Sequence, residues 1–126
     1  MHQLTSLLLF CLCLGFSQPH PAFADNASAA RIIVGVLQTL DHFPSAADKT
    51  ALMAVANDES NSRAFRVLAT AVHNLQHTAT AADKEALNAV IANERTTSQA
   101  REIARIVLEL NHSASAEAKA RLQSLL

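Results

Sequence analysis

Ser45-Ala-Ala-Asp-Lys-Thr-Ala-Leu52 returns as Thr80-Ala-Ala-Asp-Lys-Glu-Ala-Leu87, and again as Ser115-Ala-Glu-Ala-Lys-Ala-Arg-Leu122. The offset is 35 residues both times. Outward from these segments, the same offset aligns Arg31 with Arg66 and Arg101, Leu40 with Leu75 and Leu110, and His42 with His77 and His112. Within them it aligns Ala46, Lys49 and Leu52 with their counterparts. Self-similarity at a period of this length marks one supersecondary unit repeated in tandem.

Each copy reads as two helices. Ile33, Val36, Leu37 and Leu40 recur at i, i+3, i+4 and i+7, which places them on one helical face. Leu68, Ala71, Val72 and Leu75 repeat the pattern, as do Ile103, Ile106, Val107 and Leu110. Arg31-Ile-Ile-Val-Gly-Val36 alone would also suit a strand, but its Ala- and Leu-rich counterparts keep the helical period. Gly35 then falls inside a helix, at a cost of about 1 kcal/mol relative to Ala. Ser45, Thr80 and Ser115 are N-cap residues for the second helices, with Asp48 and Asp83 as the acidic halves of capping boxes. The buried stripes of those helices start at Leu52, Leu87 and Leu122. The expected fold is all-α: three tandem 35-residue helical hairpins forming a short α-solenoid or a compact six-helix array. The copies run over about 28–60, 63–95 and 98–126.

In period and architecture this resembles the helix–turn–helix repeats, among them the tetratricopeptide type with its 34-residue unit. That family's pattern places Trp and Tyr in its first helix, and the chain has neither, so it is not assigned there.

The region ahead of the repeats has a different character. Leu4 to Phe16 is apolar except for Thr5, Ser6 and Gly15, and Ala22-Phe23-Ala24 offers small residues at −3 and −1 of a cut before Asp25. Residues 1–24 therefore read as a cleavable signal peptide and 25–126 as a single domain, periplasmic or secreted. Met1-His2-Gln3 lacks the usual positive charge, so an uncleaved anchor is the alternative. Cleavage removes Cys11 and Cys13, and with them every thiol ligand or nucleophile. No Trp or Tyr is present to stack bases or sugars, and the net charge of −1 does not suit nucleic acid as a partner.

Few residues suggest chemistry, and no catalytic constellation emerges, so the chain reads as non-enzymatic, without a cofactor. The recurrent His42, His77 and His112 end the first helices, where an imidazolium favours the negative helix end and can bond a free carbonyl. With neighbouring helices about 8–10 Å apart, the outer two would lie roughly 20 Å apart, so an adjacent pair could share one ion but not all three. His73 and His77, at i and i+4, form a separate candidate metal pair on one helix. The recurrent Arg and Lys read as solvated faces with local pairs such as Arg66–Glu59 and Arg101–Glu94. Ile32, Ile33, Val34, Val36 and Leu37 are apolar nearly all round the first helix, and the chain stops at Leu125-Leu126. Such apolar ends predict a homo-oligomer or docking on a protein or peptide partner. The function expected from sequence is an exported interaction module; the alternative is a periplasmic metal-binding protein using the His73/His77 pair.

Overall fold

A computed structural model describes residues 22–126. The expected leader lies outside the described residues, apart from Ala22–Ala24, which begin the first helix. Six helices follow in order: α1 Ala22–Thr39, α2 Ala46–Asn57, α3 Arg63–His73, α4 Ala81–Ala92, α5 Ser98–Glu109 and α6 Ala116–Ser124. There is no strand among the described residues. No described helix is long and apolar enough to cross a membrane.

The helix starts follow from their caps. Ser45, Thr80 and Ser115 each accept the backbone N–H three residues on, at 3.1 Å in all three copies. At Ser45 the box is reciprocal: the Asp48 carboxylate accepts the Ser45 N–H at 3.1 Å. Thr97 caps α5 in the same way. The start of α3 uses a different device, in which the Asn26 side chain of α1 accepts the Ser62 N–H at 2.9 Å.

The two helices of each sequence copy are not equal partners in the core. The first helices bury broad faces: Ile33, Val34, Val36 and Leu37 on α1, Phe65, Leu68 and Val72 on α3, Ile103, Ile106 and Val107 on α5. Small residues such as Ala69, Ala71 and Ala104 lie between them and allow close approach. The second helices bury narrow stripes, led by Leu52, Leu87 and Leu122. Thus α1, α3 and α5 supply most of the core while α2, α4 and α6 cover it.

The pairing of elements joins the first copy to the last. α2 packs on α3 and α4 on α5, each second helix against the first helix of the following copy. α6 packs in the corresponding way on α1. Gln38 Nε2 donates to Gln123 Oε1 at 2.9 Å across that junction. Of the apolar residues of α1 expected from sequence to be left uncovered, Ile33, Val34, Val36 and Leu37 are therefore buried within a single chain and Ile32 is half-buried; of the terminal leucines, Leu125 is half-buried and Leu126 well exposed.

The ion pairs also differ from expectation. Arg121 of α6 bonds Glu102 of α5, with Nε to Oε1 at 2.8 Å, and reaches Glu109 at 3.1 Å. Arg105 adds a contact to Glu102 at 3.2 Å. The Arg121 hydrogen bond, foremost, holds the Glu102 carboxyl below its usual range, and burial opposes that only in part. Arg66–Glu59 and Arg101–Glu94 are not among the ion pairs of the described residues.

Candidate metal centre at the meeting point of the three copies

The turns from α1 to α2, from α3 to α4 and from α5 to α6 share one construction. A buried Leu (Leu40, Leu75 or Leu110) closes the first helix. A buried Pro44, Ala79 or Ala114 precedes the N-cap of the second. The histidine stands exposed between them. Both flanks are thus anchored in the core, and the apex must turn within three residues.

His42, His77 and His112 make that turn in the left-handed region, with φ of 68°, 68° and 69°. They are the only positive-φ residues other than glycine among those described. In copies one and three a three-residue turn closes around the histidine: Phe43 N–H donates to the Asp41 carbonyl at 2.8 Å, and Ser113 N–H to the Asn111 carbonyl at 2.9 Å. Such γ-type turns are strained. In copy two the contact runs the other way, from Gln76 N–H to the Thr78 carbonyl at 3.4 Å.

The same three residues hold the copies to one another through a cycle of backbone hydrogen bonds. His77 N–H donates to the His42 carbonyl at 2.9 Å, His112 N–H to the His77 carbonyl at 2.8 Å, and His42 N–H to the His112 carbonyl at 2.8 Å. The role in capping the first helices is not the one observed. Helices α1, α3 and α5 end at Thr39, His73 and Glu109, and each histidine N–H is committed to the neighbouring copy.

Above this cycle the imidazoles crowd together. Ring centres are 5.3 Å apart for His42–His77, 5.2 Å for His42–His112 and 4.7 Å for His77–His112, with planes steeply inclined. One ligand nitrogen from each ring lies within 4.8 Å of the other two. Nitrogens on one ion at about 2.0–2.1 Å and near-tetrahedral angles would be about 3.4 Å apart, with ring centres about 5 Å apart. The ring centres stand near that spacing, and the nitrogens, within 4.8 Å of one another, must draw together to share an ion. His42 Nδ1 lies 2.6 Å from Asp41 Oδ1, a carboxylate–imidazole contact of the kind that fixes the tautomer of a metal ligand. His77 Nδ1 and His112 Nδ1 face each other at 2.9 Å, one donating and the other accepting.

The sequence-derived candidate pair fares differently. His73 is the last residue of α3 and its Nδ1 is 3.0 Å from Asn74 Oδ1. His77 lies beyond the helix end, at the apex of the turn, so the two do not share a helical face. Sequence reasoning named His77 and allowed an adjacent pair of the recurrent histidines to share an ion, but excluded all three together, because stacked helices would separate the outer two. The recurrence of His itself, at a turn where glycine is cheapest, was the signal that pointed to the trio.

No family model, no curated protein and no solved structure matches this chain.

Proposed function

We propose that this is an exported, non-enzymatic helical-repeat protein that binds a transition-metal ion through His42, His77 and His112. The observation that carries the reading is the convergence of three repeat-related histidines, each in the left-handed region, on one exposed point. A turn needs only glycine or asparagine there, and a non-glycine residue costs about 1–2 kcal/mol at such a φ. Keeping histidine in every copy is costly for folding and suited to ligation. Three neutral imidazoles favour borderline ions such as zinc or copper(II) over calcium or magnesium. The fold that supports the site is, on this reading, the compact six-helix array: three tandem hairpins whose last copy returns to the first, as α6 on α1 and the histidine cycle suggest. Export follows from the leader-like residues 1–24, and a periplasmic or secreted location from export.

Calorimetric titration with zinc and with copper(II) tests the site, on the protein as its host processes it. Wild type is expected to bind, His77→Asn to bind at least tenfold more weakly, and His73→Ala to bind like wild type. Absence of binding, or binding that His73→Ala removes and His77→Asn leaves intact, would reject the trio.

A second reading, the protein- or peptide-binding module, has one observation in its favour. A cavity of about 300 Å³ lies between α3 and α4, lined by Arg63, Arg66, Val67, Thr70, Asp83 and Ala86. Buried Arg66 Nε has no hydrogen-bond partner there. An acidic peptide that shifts the amide resonances of α3 and α4, and fails to do so in Arg66→Ala, would support it.

A further inference from the structure

We propose that the bound ion joins two copies of the protein face to face, each contributing its His42, His77 and His112, so that the complete centre is a six-imidazole site between protomers. The inference rests on the metal-binding reading above and goes beyond it to the partner. One chain supplies three nitrogens to a single side of the ion, whereas transition metals take four to six ligands. All three histidines are exposed, so the remaining positions point away from the chain that holds the ion. A second trio matches those positions, because three donors about an approximate threefold axis are complemented by the same three rotated into the gaps. Octahedral coordination asks for N–metal–N angles near 90°, which bring ring centres to somewhat under 5 Å. The 4.7 Å His77–His112 spacing is already there, and the 5.2 and 5.3 Å spacings need only slight closure.

An independent feature of the same surface also lacks a partner. Phe43, next to His42, is 61% exposed, more than any other large hydrophobic residue described. Its counterparts are Thr78 and Ser113, so the turn itself has no need of an aromatic there. A facing copy would cover it. The footprint of three reverse turns is well short of the ~1,200 Å² that a stable interface buries, so the dimer should depend on the ion.

The test is titration of the protein with nickel(II) and cobalt(II), followed by light scattering coupled to size exclusion and by visible absorption. The expected result is saturation at half an equivalent of metal, a doubled mass that a chelator reverses, and the weak absorption of six-coordinate cobalt. Phe43→Ser, which installs the residue of copy three, should weaken dimerisation at least tenfold and leave metal uptake as a one-to-one monomeric complex. Saturation at one equivalent with unchanged mass, or the intense blue of four-coordinate cobalt, would overturn the shared site and leave the metal-binding reading standing. No uptake at all would overturn both. A metal-dependent dimer indifferent to Phe43→Ser, or one that survives His77→Asn, would place the contact on another surface and overturn this one.

Discussion

Replacing His77 by glycine should leave the metal-free protein within about 1 kcal/mol of wild type, and at the same time remove its stabilisation by zinc. Three contributions set the metal-free balance. The φ of 68° costs a β-carbon-bearing residue about 1–2 kcal/mol, and glycine recovers it. Glycine gives back about 0.5–1 kcal/mol through the larger entropy of the unfolded chain. The edge-on contacts of the imidazole with its neighbours, at 5.3 and 4.7 Å, and its 2.9 Å hydrogen bond to His112 are exposed and together worth about 0.5–1 kcal/mol. The backbone cycle survives, because glycine keeps the N–H that donates to His42 and the carbonyl that accepts from His112. The sum runs from about −1 to +1 kcal/mol, or up to roughly 4–8 °C in Tm in either direction for a domain of this size.

With zinc the wild type should be the more stable. An ion at one hundred times its dissociation constant stabilises the folded state by about 2.7 kcal/mol, and the glycine variant forfeits nearly all of it. Circular dichroism melts of wild type, His77→Gly and His77→Ala, with and without zinc, read both halves. His77→Ala separates the backbone from the side chain, since it keeps the strained φ and loses the ligand; it should melt at or slightly below wild type without metal. A glycine variant less stable than wild type by more than about 1 kcal/mol in chelator would refute the strain argument. Equal zinc shifts in all three proteins would refute the ligand assignment.

Other sites give sharper local tests. Gly35 is exposed in α1, and a β-carbon there would meet nothing within 4 Å, so Gly35→Ala should stabilise by about 1 kcal/mol in urea denaturation. Thr80→Ala should cost more than Ser45→Ala. Both lose a cap worth about 1 kcal/mol and a hydroxyl-to-carboxylate hydrogen bond, at 2.6 Å to Asp83 and 2.7 Å to Asp48, but only Asp83 is buried, with Asn74 as its other side-chain donor. Leu87→Ala empties a fully buried site beneath α4 and should cost about 2–5 kcal/mol. Arg121→Ala should lower stability slightly at neutral pH, since its pairs with Glu102 and Glu109 are partly exposed. Glu102 has a lowered folded pKa, so its contribution is present above the unfolded value and fades as pH falls through the folded one. Wild type and Arg121→Ala should therefore converge in stability in acid below the carboxylate range, and a gap that persists there would show that the loss is one of packing.

Much of the fold was legible because each copy repeats its own instructions. Ser45, Thr80 and Ser115 announced the second helices, and the caps stand where the sequence placed them. The stripes from Ile33 to Leu40 and at Leu52 identified buried residues correctly. What a repeat cannot announce is how its copies curve, because curvature is fixed by packing between copies. Ala69, Ala71 and Ala104 let the first helices approach closely, and α6 comes round to α1. An apolar first helix then reads as an exposed end in an open stack and as core in the observed packing. The same ambiguity misplaced the histidines. A straight array separates equivalent turns, whereas the observed arrangement brings them to one point.

Symmetry also explains why the site consists of one residue type. Equivalent positions in three similar copies, brought around a common axis, meet only their own counterparts there. Any side chain near that axis faces itself twice, so charged residues would repel and large apolar ones would crowd or remain exposed. Histidine meets the constraint because one neutral ring can donate while the next accepts, as His77 and His112 do at 2.9 Å. It also leaves lone pairs that a cation can gather. The departures from symmetry are informative in turn. Copy one alone places Asp41 against its histidine and Phe43 beside it, where copies two and three have Gln76 with Thr78 and Asn111 with Ser113. A turn kept only for its shape would have no reason to hold histidine in all three copies while varying both of its neighbours. The invariant residue is the one at the axis with the costly backbone, and the variable ones surround it, which is the pattern expected when ligation fixes the apex and the surrounding surface is free to adapt to what approaches it.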